Sequence, residues 1–469
     1  MSIYVAPALG SRFTAIVRSF AHDASLPFAS VLTEDVIQRA ADAEGVSFGH
    51  QVNDVYTPAV TLWGFLGQVL SGQKSCVAAV ARIIALRIAM GLPPCSAATG
   101  AYCKARAKLP EPFLRRLTYA VGSELDDQAP ASWRWHHRRA LLVDGTTCTL
   151  PDTPANQAAY PQQRRQRRGL GFPIIRLVVL LTFATAAIVG AACGPYKGKE
   201  TGESALFRQL FEQLRSGDVV VADRYYCSYF MIALLQQRGV DVAFRLHHIR
   251  HYDFRLGQRL GHDDHIVDWQ RPVCPKWMDE ATYAAMPETL TVRELRFQVT
   301  EPGFRTRAVI VATTLVDDRA YSQADIAELY HRRWQAELDL RAIKRTLGME
   351  RLNCRTPAMA RKELWAHLLA YNLARKVAAQ AAWERGLSPR RISFAGTVQT
   401  LAAFRALLIA TDQHVLICRQ MFQAIATHVV GDRPGRVEPR CIKRRMGNQY
   451  PTLKVPRDQA RARLLDTAA

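Results

Sequence analysis

The sequence predicts an α/β fold: a helical N-terminal segment, an open-sheet core, a β-rich insertion in that core, and a helical return. Three observations predict it. Residues 131–247 hold three sequential strands, then helix, strand, helix and strand. Residues 248–320 carry two β-rich runs, TLTVRELRFQV and TRAVIVATTLV. The flanking segments place apolar side chains at helical spacing.

Within residues 1–130, SCVAAVARIIALRIAMG is a helix, GLPP breaks it, and Ser96 stands where it can cap a second helix through TGAYCKARAKL. Helix, proline-containing turn and a short basic helix with Lys104, Arg106 and Lys108 allow a helix-turn-helix DNA reader, and equally an ordinary hairpin with a solvated basic face. From 131, RRALLVDGTTCTL is a strand with a polar end. Leu177 to Cys193 carry no charge, but fall slightly short of the ~20 residues of a membrane span. Two consecutive buried strands with a turn near Ala184–Thr185 account for them better. GESALFRQLFEQLRSG is an amphipathic helix, DVVVADRYY a strand, YFMIALLQQRGV a helix and DVAFRL a strand. After the insertion at 248–320, the core resumes over 321–430, beginning with a helix from Ser322 to Gly348. The tail, 431–469, is basic and proline-rich, with ten Lys or Arg against two acids between Arg433 and Arg463. It is expected to be extended.

Lys and Arg total 62 against 41 acids, a formal net charge of +21. A surplus of that size favours a polyanion, DNA or RNA first, because phosphate contacts release counterions. The 10 cysteines include no Cys-x-x-Cys pair, and the Cys95 to Cys103 spacing suits no zinc site. They read as reduced thiols of a cytosolic protein. MSIYVAPALGSRF lacks the basic-then-apolar plan of a signal peptide. The expected location is therefore the cytoplasm, with no membrane partner.

Asp144 closes the run ALLVD and Asp223 closes VVVAD. Open α/β sheets place their chemistry beyond strand ends, although a lone strand-terminal aspartate is as readily a turn former or a cap. A third acid has a sharper setting. Ser322 with Asp325 three residues on starts a helix, and Gly348 stops it. At about 100° per residue, Leu329, Ala336, Leu340, Ile343 and Leu347 form one stripe. Tyr330, Arg333, Glu337 and Lys344 fall within a second arc of about 60° beside it. A surface helix with a Glu337–Arg341 pair would look similar. Three carboxylates from separate elements suit two hard divalent cations about 4 Å apart, the arrangement that serves phosphodiester cleavage and attack by a 3′-hydroxyl. Neighbouring Arg and Lys, Arg341 included, would grip the flanking phosphates.

These residues resemble the DDE transposases of the bacterial insertion-sequence-four group, which share a ribonuclease-H-like catalytic core. That group's mark, Tyr-x₂-Arg-x₃-Glu-x₆-Lys, stands here as Tyr330, Arg333, Glu337 and Lys344 without departure in spacing. The first two acids resemble Asp144 in VDGTTCTLPDTPAN and Asp223 in VVVADRYY, and the resemblance runs over about 131 to 385. It implies that Asp144, Asp223 and Glu337 bind two Mg²⁺ ions, with Mn²⁺ able to substitute. It implies that Tyr330, Arg333 and Lys344 hold phosphates near the cut end. The implied partners are double-stranded DNA, as terminal inverted repeats and as target, with a homodimer on DNA. The implied function is cut-and-paste transposition. A metal-dependent nuclease of the same fold and a non-catalytic DNA-binding derivative are the alternatives. Trp269 and Trp277 match no family position and read as core. Arg164, Arg165, Arg167 and Arg168 form a basic loop suited to DNA backbone or to solvent. His247, His248, His251, His262 and His265 with Asp263 and Asp264 form a weaker candidate for a transition-metal site. Glu200 and Glu203 are either surface acids or partners of the metal site.

Overall fold

The computed structural model describes residues 32–51, 54–89, 91–298, 308–410, 413–430 and 453–466. Five helices come first: α1 (Glu34–Ala43), α2 (Pro58–Val69), α3 (Cys76–Ala89), α4 (Gly100–Lys108) and α5 (Glu111–Asp127). Thr33 and Thr57 cap α1 and α2 by accepting the Val36 and Val60 N–H groups. The helix assigned to Ser96 begins later, at Gly100. Ser96 instead accepts the Ala98 N–H in a local turn. On α4, Arg106 turns inward, bonded to Gln68 Oε1 at 2.9 Å and lying over the Phe65 ring. A basic reading face built on Arg106 is thereby corrected, while Lys104 and Lys108 remain exposed.

The core follows as β1 (Ala140–Thr149), α6 (Pro154–Ala159), β2 (Ile174–Thr182), β3 (Ile188–Pro195), α7 (Glu203–Arg208), β4 (Val219–Ala222), α8 (Tyr229–Gln236) and β5 (Asp241–Arg245). Next come β6 (Gln258–Gly261), β7 (Asp264–Gln270), α9 (Glu280–Ala284), β8 (Thr289–Gln298) and β9 (Ala308–Thr313). One sheet joins them in the order β3-β2-β1-β4-β5-β9-β8-β7-β6. β1, β2 and β3 are antiparallel neighbours, and β4 and β5 run parallel to β1. This is the α/β, ribonuclease-H-like core that the sequence led us to expect. β9 pairs antiparallel with β5, so the β-rich stretch continues the core sheet. The charge-free segment is the β2–β3 hairpin, and no described helix is long and apolar enough to cross a membrane.

Alternation along the strands sends successive side chains to opposite faces. Leu142, Val179, Leu181, Val219 and Val221 join a core with Leu117 of α5. The same core takes in residues of α10 (Gln323–His331), α11 (Trp334–Arg345) and α12 (Pro357–Glu384). Leu141, Val143, Val178, Val220 and Phe244 pack instead against Leu206, Phe207, Ile232 and Leu235 of α7 and α8. Helices α13 (Phe394–Ala410), α14 (His414–Thr427) and α15 (Arg457–Asp466) complete the described chain. The tail thus departs from an extended expectation over α15, while 431–452 lie outside the described residues. α7 is also shorter than the amphipathic pattern suggested, giving way to a 3₁₀ turn at Phe211–Gln213.

The helix expected from Ser322 to Gly348 is in fact two. Ser322 and Asp325 form the anticipated capping box. Gly348 takes φ +64°, the left-handed conformation of a helix stop. Between them the chain tightens: Arg333 N–H bonds to Tyr330 O and Ala336 N–H to Arg333 O, i→i−3 contacts that interrupt the α-helical ladder. The apolar stripe survives, because Leu329, Ala336, Leu340, Ile343 and Leu347 are all buried. Asp339 anchors α11 through ion pairs to Arg375 at 2.6 Å and Arg390 at 2.7 Å, all three side chains being nearly inaccessible.

Candidate active site

β1 and β4 run side by side only over Ala140–Leu142 and Val219–Val221. β4 then ends at Ala222, whereas β1 continues to Thr149 paired with β2 alone. Asp144 therefore lies mid-strand, opposite Val179, and not at a strand tip as expected. What makes it accessible is that its other neighbour has stopped. Asp223 is the first residue past β4, and its Oδ1 accepts the Arg224 N–H at 2.7 Å at the head of a 3₁₀ turn, Arg224–Tyr226. Asp144 Oδ1 accepts the Gly145 N–H at 2.8 Å. By strand alternation Asp144 shares the face of Leu142 and Asp223 that of Val221, the face that α11 covers.

Glu337 lies in the first turn of α11, where the helix dipole favours a negative charge. It pairs backward with Arg333 at 3.1 Å, not forward with Arg341, which is exposed. Arg333 is the hub of the site. Its side chain is only 11% exposed. Burial works against its charge, but Tyr330, Asp223, Asp144 and Glu337 outweigh it and hold its pKa above the usual value. Tyr330 is buried beside it, with Arg333 stacked over its ring at 5.8 Å. Burial, aided by Asp223 and opposed by Arg333 and Arg245, pushes that phenol's pKa up. Lys344 lies further along α11, close enough to Cys148 of β1 to act on its thiol. From Glu337 to Lys344 is about 10 Å of helix, and from Asp144 to Cys148 about 13 Å of strand. α11 thus runs alongside the free stretch of β1, with Glu337 near Asp144 and Lys344 near its far end.

Asp144 carries the electrostatic signature of the site. Its pKa is raised to about 6, first by burial and then by Glu337 and Glu203, against the Gly145 N–H and Arg333. Carboxylates that raise each other's pKa favour a cation between them. Among the described residues, no three His, Cys, Asp or Glu side chains gather around one point. A closed protein cage is accordingly absent among these residues. Mg²⁺ does not require one: it is usually held by one or two carboxylates and keeps several waters or substrate oxygens. The donor set, all carboxylate oxygen, fits such an ion.

Glu203, an ambiguous acid in the sequence, faces this cluster, whereas Glu200 pairs outward with Arg208. Tyr226, three residues past Asp223, was not singled out at all. Its hydroxyl donates to Glu203 Oε2 at 3.4 Å, and burial and the surrounding acids hold its pKa well above the usual value. The histidine-rich stretch is occupied otherwise. Asp264 pairs with Arg293 at 2.5 Å, Asp263 with Arg296, and His265 with Glu294 at 3.2 Å, which corrects the transition-metal reading there. Trp269 is core, donating to Glu294 Oε1 at 2.8 Å, whereas Trp277 is partly exposed with Arg208 over its ring at 3.8 Å. Arg164, Arg165, Arg167 and Arg168 are exposed, and three of them line a cleft with Lys197.

A family model described as a transposase DDE domain matches residues 135–373. The transposase InsG for insertion sequence element IS4 from Escherichia coli (strain K12) is 27% identical over 302 residues, 63% of this chain and 65% of that protein. The putative transposase InsZ from the same organism is 25% identical over 108 residues, 23% of this chain and 35% of that protein. The chain therefore spans just under two thirds of the first relative and about a third of the second. A cryo-EM structure of a piggyBac transposase synaptic complex with hairpin DNA aligns at a TM-score of 0.41 and 10% identity, over 91% of this chain and 87% of that one.

Proposed function

This chain belongs to the transposase DDE domain family, and from that premise we propose that it is a cut-and-paste DNA transposase acting through Asp144, Asp223 and Glu337. The observation that carries the reading is the convergence on Arg333. The nearly buried Arg333 guanidinium is ion-paired with Glu337 of α11 at 3.1 Å and is held charged also by Asp144 of β1 and by Asp223, the residue that follows β4, acids far apart in the chain. In this reading the three acids hold two Mg²⁺ ions, with Mn²⁺ able to substitute. Bound there, the ions would supply Lewis acidity to the attacking oxygen and to the scissile phosphodiester.

The chain's own groups do the rest. Arg333 presents a fixed fork of N–H donors suited to a phosphate beside the scissile one. Tyr330, kept in its phenol form by burial, offers an O–H donor at neutral pH. Lys344, further along α11, reaches a more distant phosphate of the same strand as a point charge. Arg341, exposed on the outer side of α11, contacts backbone beyond. Anchoring of Asp339 by two arginines fixes the helix that presents Glu337. The net charge of +21 supplies long-range attraction for the duplex. The bound DNA is the element's own terminal inverted repeats and then a target duplex, with a homodimer holding two ends.

The test uses the full chain, Mg²⁺ and a duplex carrying the repeats that flank its own coding region. Wild type should nick at the element end and join the freed 3′-hydroxyl to a second duplex. Asp144→Asn, Asp223→Asn and Glu337→Gln should each bind the duplex and cut nothing. Metal-dependent cutting that persists in any of the three overturns the assignment. Cutting without joining would make the protein a nuclease of this fold.

A further inference from the structure

We propose that Glu203 is a fourth carboxylate of the metal site, reaching it from the opposite face of the sheet. The inference rests on the three-acid reading above and extends it.

Glu203 opens α7, which packs on the face of β1 turned away from α11. A side chain there would ordinarily be shut off from Asp144 by the strand itself. Gly145 removes that barrier. Its position alternates with Asp144, so it faces α7, and a Cβ built on it would fall on the Glu203 carboxylate. The carboxylate lies against bare backbone at the stretch where β1 has lost its β4 neighbour. No glycine conformation is demanded there; what the position needs is space.

Two hydrogen bonds tie the backbone around Glu203, and a third holds its carboxylate. Ser204 Oγ donates to Tyr225 O at 2.9 Å, tying the start of α7 to the turn that follows Asp223. Arg176 Nη1 donates to Thr201 O at 2.7 Å, tying the approach to α7 to β2. The buried Tyr226 hydroxyl donates to Glu203 Oε2. Glu203, Asp144 and Asp223 each oppose ionisation of that phenol, and Glu203 is the acid hydrogen-bonded to it. That phenol supplies one neutral hydrogen bond, and the cation of the site, Arg333, makes its ion pair with Glu337. Among the described residues Glu203 makes no ion pair with a cation of its own. A hard divalent ion between Glu203 and Asp144 or Asp223 supplies the missing charge. A surface role would not require the glycine, the buried tyrosine or the inward aim; Glu200, three residues earlier, shows that role by pairing outward with Arg208.

The test is Mn²⁺ binding to the full chain, followed by the electron paramagnetic resonance of the free ion. It compares wild type with Glu203→Gln, Glu203→Asp, Glu200→Gln and Asp144→Asn. The glutamine keeps the shape and an acceptor for Tyr226, so the far-ultraviolet circular dichroism in EDTA should match wild type. Glu203→Gln should weaken Mn²⁺ binding about tenfold or more. Glu203→Asp should retain part of the affinity, and Glu200→Gln should bind as wild type does. Unchanged Mn²⁺ affinity in Glu203→Gln, with affinity lost in Asp144→Asn, overturns the inference and leaves the three-acid site standing. Unchanged affinity in both variants overturns the inference and the three-acid site together. Loss in Glu203→Gln alone keeps Glu203 as a ligand and removes Asp144.

Discussion

Replacing Asp144 by Asn should make the protein more stable while making it inactive. Asp144 is largely buried among other acids, and its pKa rises from the usual 3.8 to about 6. At about 1.4 kcal/mol for each tenfold change in proton affinity, the charged form costs about 3 kcal/mol in the folded chain. Between about pH 4 and pH 6 the folded state binds this proton more tightly than the unfolded chain does. Stability therefore falls as pH rises through that window, and the loss is complete above it. Asn has the same shape and can still accept the Gly145 N–H, but carries no charge to desolvate. In EDTA at pH 7.5, urea unfolding followed by tryptophan fluorescence should show Asp144→Asn more stable by up to about 3 kcal/mol. The two proteins should converge below about pH 4. Adding Mg²⁺ should close most of that gap. An ion present at a hundredfold excess over its Kd stabilises the wild type by about 2.7 kcal/mol and the variant by less. Equal stability in EDTA, or two parallel pH profiles, would refute the claim that burial, with like charges nearby, destabilises the Asp144 carboxylate.

Three other perturbations address separate parts of the account. Gly145→Ala places a methyl where the Glu203 carboxylate lies, and cleavage in Mg²⁺ should fall about tenfold or more with circular dichroism unchanged. Asp339→Ala leaves Arg375 and Arg390 buried without their carboxylate; the urea midpoint should fall by the equivalent of about 3–5 kcal/mol, and end cleavage should fall with it. Lys344→Ala should weaken binding to duplexes of any sequence and reduce the slope of log affinity against log salt by about 1, measured by fluorescence anisotropy.

Much of the core could be read from the chain because its signals are local. ALLV, LVVLL and VVVA are runs of side chains buried on both sheet faces, and the apolar stripe from Leu329 to Leu347 keeps its register across a helix break. The break itself could not be read, since Tyr330, Arg333 and Ala336 make their i→i−3 bonds without a proline or glycine to mark them. Asp144 was identified for its place at the end of an apolar run, yet its exposure depends on where β4 stops, which is a property of strand pairing. Glu203 illustrates the same limit. Its significance comes from a glycine 58 positions earlier and a tyrosine 23 positions later, and nothing in GESALF distinguishes it from Glu200. Arg106 failed as a surface cation because Phe65 and Gln68 of another helix offered it an aromatic face and an acceptor.

The central claim is that Asp144, Asp223 and Glu337 share divalent ions. It is met most directly by Mn²⁺ anomalous scattering from crystals of the full chain bound to duplex DNA carrying its element ends. The account predicts two peaks about 4 Å apart, with oxygens of these three acids at about 2 Å from one or both. Peaks located elsewhere, with the three carboxylates still apart in the DNA complex, would contradict it.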